Sequence, residues 1–437
     1  MLTLESIFRP FSRVSAPLMD RALKGLAKNG SIYHGIRRLE NRRVRKVDRP
    51  RRILIIPDIN IGDAVIGQAA VGEIRHMFPD VEISYAYQKK ARFLIRENPL
   101  IDRHYPFIAG CGLPTRRDHR RVKALMKNGD FDLILIFSPY FSFTHLGVTR
   151  AVVIHPLRFI AEIIRAYASE DDKAHVAHRM RMFTRDLGRE VNGNSRIPLS
   201  DESDMPHVYL PPRLLEKRHQ LEKRMELSPE ENRVLFNPDT SSVYTQPPLQ
   251  LQLDLLEGLL GMGRVDRVLM NVGFTFRNIE KDLLERISPS LKKGVTLIPR
   301  DVRIDEYTAL TDSVDIFISG DTGPMHLAAS RKRISDSDRG FRNATTVLGL
   351  FGATSARIYG YDSFRPGFMP SAQDAPSRVF AGSPPCRDLT CIDKIYKRCP
   401  EARCFEGLAA DPILDYVRDA LSDEAPSFER FFLPASS

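Results

Sequence analysis

The sequence predicts an α/β protein of two parallel-sheet units behind a basic N-terminal arm. Three observations carry this. Short runs that are apolar on both faces alternate with helix-length segments, the pattern of parallel strands covered by helices on each side. The alternation occurs twice, on either side of a polar stretch and a charged helix. The chain's 437 residues are enough for two domains with cores of their own.

The arm comes first in chain order. The net charge is +10, and residues 1–52 hold 14 Lys+Arg against 4 Asp+Glu, which accounts for all of it. The basic character therefore belongs to the arm, residues 1–50, and not to the body. Leu18, Met19, Ala22, Leu23 and Leu26 stand at helical spacing within it. A basic amphipathic segment suits an anionic membrane surface; a solvated leader or a docking helix fits the same residues. No base-reading or stacking motif accompanies the charge, so nucleic acid is not an expected partner. No apolar run reaches the roughly 18 residues of a membrane span, and the N-terminus has no apolar region of signal-peptide length. The expectation is a cytoplasmic protein, peripheral on the inner membrane through its arm.

The first unit spans residues 51–225. Its strands are "RILIIP" (Arg52–Pro57), "VEISYAY" (Val81–Tyr87), "DLILIFS" (Asp132–Ser138) and "AVVIHP" (Ala151–Pro156). An amphipathic helix, "GDAVIGQAAVGEIRHMFPD", joins the first two and stops at Phe78-Pro79. "RFIAEIIRAYA" and "KAHVAHRMRMFTRDLG" are helical, and "YLPPRLLEKRHQLEKRMELSPEENR" is the charged helix that closes the unit near residue 225. The second unit spans residues 226–405, with strands "RVLFNP", "RVLMNVG", "VTLIPR", "DIFISG" and "TTVLGLFG". Residues 406–437 add a last helix, "DPILDYVRDALS", and a tail.

In such sheets ligands sit at the C-terminal ends of strands and the N-termini of helices, which singles out three loops. In "PDINIGDAV", Gly62 permits a tight turn and Asp63 stands at a helix start. There a carboxylate caps backbone amides or serves as a general base, and both readings stand. In "FNPDTSSVYTQPP", Asn237, Thr240 and Ser241 close a strand and either meet phosphate or cap the next helix. In "ISGDTGPMHLAAS", Pro324 fits the first helical position, where its missing N–H costs nothing. Gly323 lets a ligand approach, and the amides of Met325 and His326 are expected to face an anion. Asp321, itself negative, is expected to face hydroxyl groups such as those of a sugar. No G-x-G-x-x-G fingerprint is present.

These residues resemble glycosyltransferase family 9, the ADP-heptose:lipopolysaccharide heptosyltransferases and their relatives. The resemblance rests on "ILIIPDINIGDAVIGQAAVGEIRHMFPDVEISY", "RMFTRDLG" and "LTDSVDIFISGDTGPMHLAAS" followed by "VLGLFGATS", and covers about residues 51–405. It implies a GT-B fold, two Rossmann-like domains facing a cleft, and an inverting transfer of a heptose-like sugar from a nucleotide-diphosphate donor, ADP-heptose. The acceptor would be lipopolysaccharide, another envelope glycan or a protein. Asp63 becomes the base on the acceptor hydroxyl and Asp321 the partner of the donor sugar. Thr322, Gly323, Met325 and the helix start would hold the diphosphate, with His326 nearby and Asn237, Thr240 and Ser241 beside them. No cofactor is implied for catalysis. The second loop departs from the family pattern: it has no lysine, and the chain has no Trp. Arg277, or one of Arg331–Arg333, would have to supply the missing cation. A non-catalytic nucleotide-sugar-binding scaffold and a nucleotide-sugar epimerase of the same fold remain as alternatives.

Cys386, Cys391, Cys399 and Cys404 fall within one Cys-x4-Cys-x7-Cys-x4-Cys segment, residues 386–404. Four clustered thiols suit a closed structural Zn or Fe site, and part of the resembled family binds iron. Reduced buried thiols are the other reading.

Overall fold

The computed structural model describes residues 49–58, 60–108, 114–141, 144–145, 147–168, 175–191, 198, 204–240, 242, 244–272, 278–334, 344–365, 368, 370–371, 374–383 and 403–422, with 34, 35, 37, 38, 40, 43, 44 and 47 of the arm. The chain forms two compact units. One comprises residues 1–210 and 333–337, the other 211–332 and 338–437.

In the first unit the elements run β1 (Arg52–Ile56), α1 (Ile61–Ile66), α2 (Gln68–Met77), β2 (Glu82–Gln88), α3 (Arg92–Arg96), β3 (Arg103–Ile108), α4 (Arg116–Asn128), β4 (Leu133–Ile136), β5 (Val152–Ile154), α5 (Pro156–Ala168), α6 (Val176–Val191) and β6 (His207–Leu210). Five strands make a parallel sheet in the order β3-β2-β1-β4-β5. β1 and β4 are the apolar runs of the sequence, almost wholly buried. The predicted first helix is divided at Gly67, where a Cβ would come within 2.5 Å of the Tyr85 hydroxyl. β3 carries no apolar pattern, because "RHYPFI" is an edge strand with one open side.

Helices α2 and α6 pack closely. A Cβ on Gly188 of "RMFTRDLG" would lie 2.3 Å from Met77 Sδ, so a side chain there would displace the end of Met77. Beside it, buried Arg181 lies 3.5 Å from Glu73 and 3.4 Å from Asp204, and Asp204 also meets His178 at 3.0 Å. The sheet's other face packs on α4 through Leu54, Ile134, Ile136, Val122 and Met126.

In the second unit the elements are α7 (Pro212–Arg224), β7 (Arg233–Asn237), α8 (Leu249–Gly261), β8 (Arg267–Met270), α9 (Ile279–Arg286), β9 (Val295–Leu297), α10 (Ile304–Leu310), β10 (Ile316–Gly320), α11 (Gly323–Ala329), β11 (Arg331–Ile334), β12 (Thr346–Phe351), α12 (Ala356–Tyr359), β13 (Arg378–Ala381) and α13 (Asp411–Ala420), with β11 at the point where the chain returns to the first unit. Six parallel strands are ordered β13-β12-β10-β7-β8-β9. Leu255, Leu256 and Leu259 of α8 and Ile413 and Val417 of α13 cover one face of this sheet. In both sheets the strand order reverses beside the first strand of the unit, between β1 and β4 and between β7 and β10. At such a switch point the flanking helices diverge and leave a crevice beyond the strand ends.

The described part of the arm is docked. Glu40 and Val44 are fully buried within the first unit. The Glu40 carboxylate accepts a hydrogen bond from the His155 amide at 2.8 Å, and Arg158 lies 3.9 Å away. Arg158 in turn forks onto Glu190 at 2.8 and 2.9 Å. The membrane expectation rests on Leu18–Leu26, which lies outside the described residues. Among the described residues no helix is long and apolar enough to cross a membrane.

Loss of water around Glu40 raises its pKa to about 7, against the pull of Arg158. A raised carboxylate favours folding when protonated. Its contribution is complete below the unfolded value and is lost as pH rises through 7. Glu40→Gln should therefore flatten the fall in thermal stability between pH 5 and pH 8, by an amount on the order of 3 kcal/mol relative to wild type. Parallel melting profiles of wild type and variant across that range would show it.

Candidate active site

The crevice of the second sheet gathers most of the candidate donor residues. Asn237 ends β7, and its buried side chain is satisfied on three sides. Its Nδ2 donates to Ser319 Oγ on β10 at 2.8 Å and to the Asp239 carbonyl at 3.2 Å. Its Oδ1 accepts from Asn271 Nδ2, just beyond β8, at 2.7 Å. The Ser319 hydroxyl lies 3.1 Å from that of Thr322. Thr322 is the N-cap of α11, and its Oγ1 accepts from the Met325 amide at 3.3 Å. One chain of hydrogen bonds thus runs from β8 through β7 and β10 into the helix start.

Gly320 makes this junction sterically possible. A Cβ there would come within 2.7 Å of the Thr245 carbonyl and 3.0 Å of Thr240 Cγ2. Thr240 is itself buried: its amide donates to Gln246 Oε1 at 2.9 Å and its hydroxyl to the Ser242 carbonyl at 2.7 Å. Asn237 and Thr240 therefore shape the loop from within. Ser241 lies outside the described residues.

The helix start differs from expectation. The Met325 amide is taken by the Thr322 hydroxyl and the His326 amide by the Thr322 carbonyl at 3.3 Å, so these two groups cap and begin the helix instead of facing an anion. With Pro324 lacking an N–H, the Gly323 amide is left as the donor of the first turn. Met325 is a core residue, fully buried under the sheet.

Asp321 follows β10. His326 Nε2 lies 3.6 Å from its Oδ1, and His326 Nδ1 is 2.7 Å from the buried Tyr361 hydroxyl. Burial, and then the Asp321 charge, push the Tyr361 phenol well above its ordinary pKa. It therefore stays protonated and shares a hydrogen bond with Nδ1 of the imidazole. Tyr361 gave no sequence signal; it stands 35 residues from His326 and is brought there by the fold.

A cleft of about 470 Å³ opens at the ends of β8 and β9, walled by Val272, Leu297, Ile298 and Pro299 and rimmed by Glu280, Lys281 and Arg300. Leu297 is 41% exposed, unusual for a leucine of this fold. Sequence reasoning missed this cleft, because its walls come from strand ends that read as ordinary core.

Of the candidate cations Arg331–Arg333, the first two are engaged in ion pairs. Arg331 is tied to Asp374 at 3.1 Å and Lys332 to Asp312 at 2.8 Å, both nearly buried. Arg277 lies outside the described residues.

In the first unit Asp63 sits in the first turn of α1, where Asn60 Nδ2 donates to its Oδ2 at 3.0 Å. Burial and the Asp63 charge raise the neighbouring Tyr85 phenol. Ser138 Oγ donates to Asp58 Oδ1 at 3.1 Å, joining the loops after β1 and β4 across that unit's switch point.

Residues 267–358 match the family described as glycosyltransferase family 9 (heptosyltransferase). The second unit carries the signature of that family. The chain is also similar in fold to three solved structures. Against ADP-heptose lps heptosyltransferase II of E. coli, identity is 15% and the TM-score 0.56, over 85% of this chain and 98% of that one. Against a glycosyl transferase family 9 protein of Veillonella parvula DSM 2008, the values are 13% and 0.61, over 86% and 98%. Against E. coli heptosyltransferase WaaC with ADP, they are 13% and 0.50, over 84% and 99%. No curated protein sequence matches the chain. The mixed α/β architecture with parallel sheets, the fold class the sequence predicts, is thus similar to that of GT-B-like heptosyltransferases.

Three of the clustered cysteines, Cys386, Cys391 and Cys399, lie outside the described residues. Cys404 is buried in the second core beside Phe405. Among the described residues no group of His, Cys, Asp or Glu forms a metal donor set.

Asn237→Ala would strand the partners of a buried amide on β8 and β10. Urea denaturation should show a loss of about 1–3 kcal/mol, the cost of unpaired buried polar groups.

Proposed function

We propose that the protein is an inverting glycosyltransferase that moves a heptose-like sugar from a nucleotide-diphosphate donor to an acceptor hydroxyl. The observation that carries this is the crevice of the second sheet, where Asp321 lies beside the His326–Tyr361 pair and the capped start of α11.

In this reading the apolar cleft at the ends of β8 and β9 takes the nucleobase, a flat ring that gains by leaving water. Asp321 receives hydrogen bonds from the donor sugar, with the His326 ring 3.6 Å from its carboxylate. The Gly323 amide at the helix start meets the diphosphate. Asp63 takes the proton of the acceptor hydroxyl as its oxygen attacks the anomeric carbon. The bond from that carbon to the diphosphate oxygen breaks, and the nucleoside diphosphate leaves with the electron pair. Asn60, donating to Asp63, orients the base. Asn237, Thr240 and Ser241 act as positioning residues for the donor loop. ADP-heptose is the donor we favour, since one protein of this fold is described with ADP. The acceptor is a lipopolysaccharide-type envelope glycan or a protein, met at the inner membrane surface through the basic arm.

One observation favours a second reading, donor binding without transfer. The loop after β7 has no lysine, and Arg331 and Lys332 are committed to carboxylates of their own unit.

Transfer from ADP-heptose should fall by at least about 100-fold in Asp63→Ala. In Asp321→Ala, donor affinity should weaken as well. Full activity in both variants would sink the site assignment. A thermal shift with ADP-heptose but no transfer by wild type would establish the second reading.

A further inference from the structure

The first unit holds a second cleft, of about 510 Å³, that the transferase reading does not use. It lies along the edge strand β3, lined by Tyr87, Lys89, Arg92, Arg96, His104 and Arg121, with Pro106 beside them. These residues come from four successive elements: the end of β2 and the turn after it, α3, β3 and α4.

The charge here is not neutralised. Elsewhere on this unit arginines are paired: Arg52 with Glu82 and Asp130, Arg75 with Asp102, Arg103 with Glu82. Lys89, Arg92, Arg96 and Arg121 form no ion pair or hydrogen bond among the described residues. Four cations converging on one concavity repel each other unless an anion joins them. Burial and then the charge of Arg96 lower the pKa of His104, against the opposing pull of Asp102 and Glu97 nearby. Its Nδ1 is buried and has no hydrogen-bond partner among the described residues. Tyr87, nearly buried, gives the cleft an aromatic wall, and Pro106 an apolar rim. Arginine forks match phosphate oxygens in pairs.

We infer that this cleft binds a ligand carrying two or more phosphate groups, with Arg92, Arg96 and Arg121 on the phosphates and Tyr87 against its carbon frame. One phosphate would leave most of the charge uncompensated, and a purely apolar ligand would compensate none. The same chemistry is offered by a small diphosphate and by the headgroups of an anionic lipid surface. None of its lining residues has a role in the transferase reading, so the inference is tested independently of sugar transfer.

The test is binding of inorganic pyrophosphate to the full-length protein by calorimetry, with wild type, Arg92→Ala/Arg96→Ala and Arg92→Lys/Arg96→Lys compared. These side chains are exposed, and melting temperatures of the three proteins check that they fold alike. Binding should weaken by at least about tenfold in the alanine variant, recover in part in the lysine variant, and weaken with added salt as charges are screened. No binding by wild type, or equal binding by wild type and the alanine variant, would overturn the inference. The second result would place the pyrophosphate elsewhere, such as at α11. Vesicles of phosphatidylglycerol serve as the second probe. Retention that is lost in the alanine variant assigns the phosphates to a lipid surface, and retention unchanged by it assigns them to a soluble ligand, provided pyrophosphate binding responds as expected.

Discussion

The geometry of the second unit depends on one buried amide. Asn237 ties β7 to Ser319 of β10 on one side and to Asn271 at the end of β8 on the other. A switch point leaves strand ends without the helices that cover them elsewhere, and backbone there would otherwise drift toward water. The amide fixes those ends with bonds that cannot be exchanged for solvent, since the group is buried. Fixing β10 sets the Thr322 hydroxyl at the helix start, and that position decides where Asp321 leaves the strand. Gly320 is the counterpart of this order: with the strands so close, no side chain fits between β10 and the loop after β7.

The two units reuse one electrostatic device. Each places a carboxylate just beyond a central strand, Asp63 in the first turn of the helix after β1 and Asp321 directly after β10. Each sets a fully buried tyrosine near it, Tyr85 or Tyr361, whose phenol burial and the carboxylate keep protonated. The difference lies in the partner. Asp63 is held by the amide of Asn60, a neutral donor that leaves a carboxylate able to take a proton. Asp321 faces an imidazole whose other nitrogen is already committed to a tyrosine.

Much of this was legible in the chain. The nine apolar runs all form strands, most of them because a strand buried on both faces must be apolar throughout, though β9 is a partly exposed edge strand. β3 was not legible: an edge strand with "RHYPFI" has no need of that pattern. The block "DTGPMHLAAS" gave the loop, the cap and the helix, since Thr, Gly and Pro have local conformational roles that sequence order preserves. The fate of the amides was not legible. The Thr322 hydroxyl that caps Met325 also meets Ser319, which is in turn fixed by Asn237, 82 residues away on another strand. Tyr361 was invisible for the same reason, as were the ion pairs that occupy Arg331 and Lys332.

The chain leaves the first unit at residue 210 and returns to it for residues 333–337 before finishing the second. On the ribosome, where N-terminal domains fold first, the first unit must wait for its last piece until most of the second has been made. The two units are thus coupled in the order of their synthesis. A gene cut at residue 210 would yield a first domain lacking part of itself, whereas a cut after residue 337 would supply the piece along with an unfinished sheet. Dissection of this protein into halves is constrained by the path of the chain before any question of activity arises.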